Sequence, residues 1–202
     1  LYNVPEHISG NATRWFLKND GVKWNLDFDQ LEVILRPETK LLVINFPHNP
    51  TGFVPSKGEL NKIIELTQKR GIRIFSDEIY FGLEFDSERR FKSLADQASR
   101  SITMSGASKG LGLPGLRFGW LIVKDPELYN QLLNLKSYTS MCAHQTTEYL
   151  GLMAIRAAPQ LLAKNLGIIK ENLKAAELFF KKREGKISWL RPLGGSISVF
   201  KI

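Results

Sequence analysis

Four short apolar runs recur along the first two thirds of the chain, at residues 41–46, 72–77, 100–105 and 117–123. Polar and apolar positions do not alternate strictly in these runs, and β-branched and aromatic residues are frequent. This pattern is typical of strands that are buried on both faces of a sheet. Residues 14–18 form a weaker candidate for a further strand.

Helical periodicity lies between and after these runs. Ser56 and Glu59 form a capping-box pattern, and Gly71 ends the helix that it begins. Asp125 and Pro126 combine a capping side chain with proline at the first helical position, and they begin a second helix. Further helices are predicted at 145–158 and from 162 to about 185, and short strands at 186–190 and 196–202.

Strands that alternate with helices predict an α/β domain with a mostly parallel sheet. The long helix near the end, followed by two strands, indicates entry into a second domain. The predicted division is therefore residues 1–160 for a large α/β domain, and residues 161–202 for a linking helix and the start of a small α+β C-terminal domain.

Composition excludes several classes of protein. With 43% hydrophobic and 24% charged residues, the 202-residue chain has the balance of a globular protein. We expect neither a membrane-spanning helix nor a signal peptide, since no apolar run approaches about 20 residues. The single cysteine, Cys142, forbids an internal disulfide and favours the cytoplasm. The net charge of +8 is scattered, which indicates a solvated surface rather than a nucleic-acid partner.

Chemically distinctive side chains follow successive strands. In an open α/β sheet, ligands bind beyond the carboxyl ends of the strands. The first strand leads into a proline-rich loop with Asn49 at its tip, and the second leads to Asp77 and Tyr80. The third leads to Lys109 among small residues, and Arg117 opens the next strand.

Each of these residues alone has an ordinary structural explanation, such as a turn, a helix cap or a solvated charge. Together they match the needs of pyridoxal phosphate, which requires a lysine amine for its aldehyde and a carboxylate for its ring nitrogen. It also requires hydrogen-bond donors for its phenolic oxygen, and a cation with hydroxyl groups for its phosphate.

Four motifs carry a family resemblance: NPTG, D-x-x-Y, SK and R-x-G, in that order. With them the sequence resembles the fold-type I pyridoxal-phosphate enzymes, specifically the class I/II aminotransferases, almost from end to end. The resemblance implies that residues 1–160 are an incomplete pyridoxal-phosphate-binding large domain. It also implies that Lys109 forms the Schiff base with the cofactor and carries the proton between substrate and cofactor.

The same resemblance implies roles for five more residues. Asp77 would pair with the ring nitrogen, while Asn49 and Tyr80 would bond the phenolic oxygen. Ser108 and Arg117 would hold the phosphate. Lys109, Asp77 and Tyr80 are thus the predicted catalytic residues, and a cis bond is expected between Asn49 and Pro50.

One position departs from the family pattern. Many members carry serine three residues before the lysine, where this chain has Gly106, with serine at Ser105 instead. One hydroxyl or two could therefore reach the phosphate from this loop. His48 is close to the site in sequence, but we expect it to pack within its loop, and no residue spacing predicts a metal site.

The resemblance also implies missing parts. About five of the seven strands of the family's large domain are recognisable, and neither the upstream phosphate-binding turn nor the substrate-binding arginine is found. We therefore expect an internal fragment of an enzyme roughly twice as long. The isolated chain should bind the cofactor poorly and have little or no activity, and the parent should be a homodimer.

The leading functional prediction is transfer of an amino group from an amino acid to a 2-oxo acid, in a biosynthetic process. A C–S lyase acting on sulfur amino acids would use the same residues. A ligand-sensing domain of a transcriptional regulator, which the basic charge favours, and a remnant that binds no ligand are further alternatives.

Overall fold

The computed structural model of the chain describes residues 3–8 and 10–202. Its helices are α1 (Asn3–His7), α2 (Phe28–Ile34), α3 (Lys57–Lys69), α4 (Leu94–Gln97), α5 (Pro126–Thr139), α6 (Gln145–Arg156) and α7 (Ala158–Lys181). Its strands are β1 (Leu17–Asn19), β2 (Trp24–Leu26), β3 (Leu41–Asn45), β4 (Arg73–Asp77), β5 (Ser101–Gly106), β6 (Gly119–Val123), β7 (Ser188–Trp189) and β8 (Phe200–Lys201). Short 3₁₀-helices lie at Ser87–Arg89 and Pro114–Leu116.

The central sheet has four strands in the order β3-β4-β5-β6. The β3–β4 and β4–β5 pairs are parallel, whereas β6 runs antiparallel to β5. The predicted α/β class with a mostly parallel sheet is therefore confirmed. The register aligns Asn45 with Asp77, and Asp77 with Met104, so the carboxyl ends of three strands meet along one edge.

The main core lies between this sheet and the helices α2 and α3. Leu31 of α2 and Ile63 of α3 are fully buried and belong to one cluster with Ile44 of β3 and Ile74 of β4. A smaller cluster joins Ala107, just after β5, to α6. The loop that follows β5 is thus supported by a helix as well as by the sheet.

The prediction that all four central strands are buried on both faces is wrong for β3 and β6. Leu41 and Val43 of β3 are 44% and 40% exposed, while Leu42 between them is buried. Leu121 and Ile122 of β6 are also exposed. The apolar runs are present as predicted, but the described helices contact only one face of β3 and leave β6 partly open.

The helix-capping contacts that the sequence predicts are present in the structure. The Ser56 hydroxyl accepts from the Glu59 N–H (3.2 Å), and the Glu59 carboxylate accepts from the Ser56 N–H (2.7 Å). The Asp125 carboxylate accepts from the first-turn amides of α5 and pairs with Arg73 at 2.6 Å. These contacts confirm both predicted helix starts.

Other boundaries differ slightly from expectation. Helix α6 ends at Arg156, and Pro159 lies in the first turn of α7 rather than closing α6. The chain continues from α7 into an antiparallel pair, β7 and β8, in which Trp189 faces Phe200. Among the described residues, no helix is both long and apolar enough to cross a membrane.

Candidate active site

The loops after β3, β4 and β5 are joined by main-chain hydrogen bonds at the edge of the sheet. The Gly110 N–H donates to the Ile79 carbonyl (3.3 Å), which ties the lysine loop to the loop of Asp77 and Tyr80. The Ala107 N–H donates to the Phe118 carbonyl (3.0 Å), next to Arg117. The structure therefore brings the loops of the predicted site residues together.

Asn45 links the loop of Asn49 to the strand of Asp77. Its side-chain oxygen accepts from the Asn49 N–H (2.8 Å), and its side-chain amide donates to the Asp77 carbonyl (3.0 Å). The bond before Pro50 is cis, as expected. Sequence analysis gave no role to Asn45, although a polar residue that ends an apolar strand is a recognisable signal.

His48 packs within its loop, as expected. Its Nδ1 lies 2.8 Å from the Thr51 hydroxyl, and burial lowers the pKa of the imidazole. Both features favour a neutral ring with a local structural role.

Asp77 and Tyr80 differ in exposure. Asp77 is half-buried, and its carboxylate accepts from the Ile79 N–H at 3.1 Å. Burial raises the pKa of Asp77, although its hydrogen bonds oppose the shift. Tyr80 is only 2% exposed, and burial is also the main cause that raises the pKa of its phenol.

The Tyr80 hydroxyl makes no hydrogen bond of standard length to any described residue. The Ser196 side chain lowers the pKa of the phenol, while the charge of Asp77 raises it. Buried hydroxyl groups are seldom left without a partner. The phenol is therefore available to donate to a group bound at this edge.

Lys109 lies in the turn after β5 and is exposed, with its carbonyl accepting from the Gly112 N–H (3.0 Å). Ser108, beside it, is half-buried. A Cβ atom on Gly110 would stand 3.1 Å from the Phe81 carbonyl oxygen. The small residues around the lysine thus allow its turn to lie directly against the Tyr80 loop.

Ser105 and Gly106 explain the departure from the family pattern. The Ser105 hydroxyl donates to the Glu78 carbonyl (3.1 Å), so it serves the connection between β5 and β4. A Cβ atom on Gly106 would stand 2.9 Å from the Phe118 carbonyl oxygen, which leaves no room for a side chain. Ser108 therefore remains as the candidate hydroxyl of this loop.

Arg117 is exposed and has a left-handed backbone (φ 49°, ψ 40°) directly after the 3₁₀-helix Pro114–Leu116. Its guanidinium donates to the Pro114 carbonyl at 3.2 Å. Residues other than glycine rarely adopt positive φ, and they often do so at functional sites. Arg117 therefore precedes β6, which begins at Gly119, and does not open the strand as predicted, because its left-handed backbone cannot continue an extended strand. The outlier supports a functional role for this arginine.

A segment near the end of the chain also reaches the site, which sequence analysis did not predict. The Leu193 and Gly194 N–H groups both donate to the Gly52 carbonyl, at 2.8 and 3.0 Å. The Gly195 N–H donates to the Leu83 carbonyl at 3.0 Å. Residues 193–195 therefore bridge the loop of Asn49 and the loop of Tyr80.

Glu78 is a buried carboxylate beside the site. It is 2% exposed and accepts from the Ser76 hydroxyl (3.1 Å) and the Leu94 N–H (2.8 Å). Burial raises the pKa of Glu78 above its ordinary value of 4.5. The carboxyl group fixes the end of β4 to the start of α4.

We expect Glu78→Gln to change how stability depends on pH. A raised native pKa means that the native state binds more protons than the unfolded chain, so the free energy of unfolding falls as pH rises above 4.5. Glutamine cannot ionise, so the variant should gain stability relative to the unchanged protein between pH 4.5 and about pH 7. Urea unfolding at both pH values measures this difference.

The exposed Glu65→Gln on α3 is the matched control, and its effect should be similar at both pH values. An equal effect of Glu78→Gln at the two pH values would contradict the assignment of a raised pKa.

The site thus combines an amine, a half-buried carboxylate, a buried phenol and a cation on neighbouring loops. Within residues 3–8 and 10–202, no group of three or more His, Cys, Asp or Glu side chains could hold a metal ion. The donor set suits an anionic ligand that also carries a ring nitrogen and a carbonyl group.

Known proteins share both sequence and fold with this chain. A probable kynurenine–oxoglutarate transaminase of Saccharomyces cerevisiae is 32% identical over 142 residues, which are 69% of this chain and 30% of the yeast protein. The S-alkyl-thiohydroximate lyase SUR1 of Arabidopsis thaliana is 34% identical over 128 residues, which are 62% of this chain and 28% of that enzyme.

The crystal structure of a PLP-dependent aminotransferase from Streptococcus suis 89-1591 superimposes with a TM-score of 0.91 and 28% sequence identity. The match covers 100% of this chain and 52% of the streptococcal chain. The chain therefore spans about half the length of this relative, and the aligned regions are about a third of the two curated relatives. The sequence model of the aminotransferase class I and II family matches residues 11–192, so the chain belongs to that family.

Proposed function

We propose that the chain binds pyridoxal phosphate at the carboxyl ends of β3, β4 and β5, and that it serves amino-group transfer between an amino acid and a 2-oxo acid. Pyridoxal phosphate is the cofactor of this family. The observation that carries the proposal is the meeting of Lys109, Asp77 and the unpartnered Tyr80 phenol on loops that hydrogen bonds join.

Each polar group of the cofactor has a chemically suitable partner among the proposed site residues. Half-buried Asp77 would accept from a protonated ring nitrogen, and a cation there would offset the burial that raises the pKa of Asp77. The Tyr80 hydroxyl, which is buried and without a hydrogen-bond partner among the described residues, would donate to the phenolic oxygen. Asn49 would be a second donor there. Ser108 and Arg117 supply the phosphate donors.

The Lys109 amine has two proposed tasks, which are attachment of the cofactor and movement of a proton at the substrate Cα. When bound, pyridoxal phosphate withdraws electrons from that carbon. The amine is the base nearest to the attachment point, and Lys109 is exposed, so a substrate can reach it. Asn45 and the bond from Gly110 to Ile79 hold the surrounding loops in place.

We propose a domain arrangement and an oligomeric state for the whole protein. Residues 1–160 would form part of the cofactor-binding domain, and residues 161–202 would lead into the small domain of a homodimeric, cytoplasmic biosynthetic enzyme. The chain spans about half of the streptococcal relative, so transfer activity is proposed for the whole protein and need not appear in these 202 residues alone.

A C–S lyase is the second candidate, because the Arabidopsis relative is named as an S-alkyl-thiohydroximate lyase and is 34% identical. Product analysis with sulfur amino acids separates the two activities. Formation of a thiol with pyruvate would indicate a lyase, and formation of a new amino acid from a 2-oxo acid would indicate a transferase.

The direct test of cofactor binding is borohydride reduction in the presence of pyridoxal phosphate, followed by peptide mapping. We expect one dominant labelled peptide that contains Lys109. Lys109→Ala should abolish this label, whereas the exposed Lys124→Ala, just beyond β6, should retain it. Equal labelling of many surface lysines, or no label at Lys109, would overturn the proposal.

A further inference from the structure

Ser196 lies beside the buried phenol of Tyr80, and neither the family comparison nor the proposed function assigns it a role. We propose that Ser196 is a positioning residue whose hydroxyl donates to the Tyr80 oxygen and so directs the Tyr80 proton toward the ligand. This inference rests on the proposed function, because the ligand in question is the phenolic oxygen of the cofactor.

The first support is the state of the Tyr80 hydroxyl. It is buried and makes no hydrogen bond of standard length among the described residues, yet a phenol oxygen can both donate and accept. If the Tyr80 hydroxyl donated to the cofactor, its oxygen would still lack a group that donates to it. A second hydroxyl is needed as donor, and Ser196, which follows the backbone packed against the Tyr80 ring, is the hydroxyl that lowers the pKa of the phenol.

The second support is the way the chain delivers Ser196. Gly194 is pinned to the Gly52 carbonyl and forms an antiparallel bridge with Glu84, and Gly195 is bonded to the Leu83 carbonyl. A Cβ atom on Gly194 would stand 2.8 Å from the Val54 side chain. The residue before Ser196 is therefore held closely against the loops that carry Asn49 and Tyr80.

The third support is the contact between this segment and the tyrosine ring. A Cβ atom on Gly195 would lie 3.7 Å from the Tyr80 ring, so the ring packs against the backbone that immediately precedes Ser196. Ser196 itself is exposed, which leaves its hydroxyl free to rotate. Ser196 thus follows a backbone segment that packs against Tyr80, while its own side chain is exposed to solvent.

The chemical consequence follows from cooperativity. A hydroxyl that accepts a hydrogen bond becomes a better donor through its own proton. If Ser196 donates to Tyr80, then Tyr80 donates more strongly to the phenolic oxygen of the cofactor. A stronger bond there would reduce the negative charge on the phenolic oxygen, and with it the proton affinity of the Lys109 nitrogen once that nitrogen is joined to the cofactor.

The test compares Ser196→Ala with Ser198→Ala. Ser198 is on the same segment, but its hydroxyl accepts from the Trp189 indole at 2.6 Å. With ¹³Cζ-labelled tyrosine, the Tyr80 resonance is identified by its loss in Tyr80→Phe. We expect this resonance to move in Ser196→Ala but not in Ser198→Ala, and to return toward its original position in Ser196→Thr.

A second readout uses the bound cofactor. Ser196→Ala should raise the pH midpoint of the cofactor's visible absorption change and should weaken cofactor retention about three- to tenfold, as expected for one lost hydrogen bond. Both effects should disappear when Ser196→Ala is introduced into Tyr80→Phe, because the serine acts only through the phenol.

Two results would overturn the inference. One is an unchanged Tyr80 resonance in Ser196→Ala, and the other is an effect of Ser196→Ala that persists undiminished in the Tyr80→Phe background. Failure of the unchanged protein to attach cofactor at Lys109 would instead overturn the proposed function. The tyrosine resonance would then still decide, without cofactor, whether Ser196 acts on the phenol.

Discussion

Replacement of Asp77 by asparagine is expected to weaken retention of pyridoxal phosphate about 100-fold. Asparagine keeps the size of the side chain and removes its charge. Loss of one member of a partly buried, hydrogen-bonded charge pair costs about 3 kcal/mol, and each 1.4 kcal/mol corresponds to about a tenfold change in affinity. The cofactor concentration that gives half-maximal borohydride labelling of Lys109 measures this effect.

The pH dependence of the Asp77 effect has a definite sign. Burial raises the pKa of Asp77 in the protein without ligand, so the carboxyl group becomes neutral at a higher pH than an exposed aspartate. The unchanged protein should therefore lose cofactor affinity as pH falls through that pKa, and its advantage over Asp77→Asn should shrink.

The exposed Asp29→Asn on α2 controls for the loss of one negative charge and should leave labelling unchanged. Equal cofactor retention by Asp77→Asn and the unchanged protein would exclude pairing of Asp77 with the ring nitrogen. Attachment of the cofactor at Lys109 would still be tested by the peptide mapping described above.

Gly52→Ala should destabilise the protein by about 2–5 kcal/mol. Gly52 has φ +67°, and a Cβ atom there would stand 2.3 Å from the Pro192 Cβ and 3.0 Å from the Gly194 carbonyl oxygen. A left-handed backbone costs an alanine about 1–2 kcal/mol, and forced overpacking adds about 1–3 kcal/mol. Urea unfolding gives the change in the free energy of unfolding.

Substitutions at two other glycines distinguish the cost of the left-handed backbone from the cost of overpacking. Gly71 has φ +66° with nothing within 4 Å of its virtual Cβ, so Gly71→Ala should cost only the backbone contribution of about 1–2 kcal/mol. Gly58, in α3, has open space and an ordinary φ, so Gly58→Ala should stabilise by about 0.5 kcal/mol. If Gly52→Ala cost no more than Gly71→Ala, the close approach of Pro192 would be disproved.

Features governed by neighbouring residues could be predicted from the sequence. The start of α3 depends on Ser56 and Glu59, and the start of α5 depends on Asp125, so local hydrogen bonds determine both. The mostly parallel sheet followed from the alternation of strands and helices. The same alternation placed Asp77 and Lys109 at or just beyond the carboxyl ends of successive strands, where the structure has them.

Features governed by distant residues could not be predicted. Asn45 bonds to the Asp77 carbonyl, which lies more than 30 positions away along the chain, and no local pattern reveals this bond. The backbone of residues 193–195 reaches the site through hydrogen bonds to the Gly52 and Leu83 carbonyls, which lie far away along the chain. The open faces of β3 and β6 were missed because an apolar run does not reveal which elements will cover it.

The hydrogen bonds between residues 193–194 and the Gly52 carbonyl affect the order in which parts of the chain fold. The two bonded segments are about 140 positions apart, so closing this contact carries a large loop entropy and belongs among the slow, non-local steps. A ribosome makes the loops of Asn49, Tyr80 and Lys109 well before it makes the segment that joins them. The nascent chain can therefore assemble its sheet early, but its cofactor loops acquire their final spacing only after residue 195 has emerged.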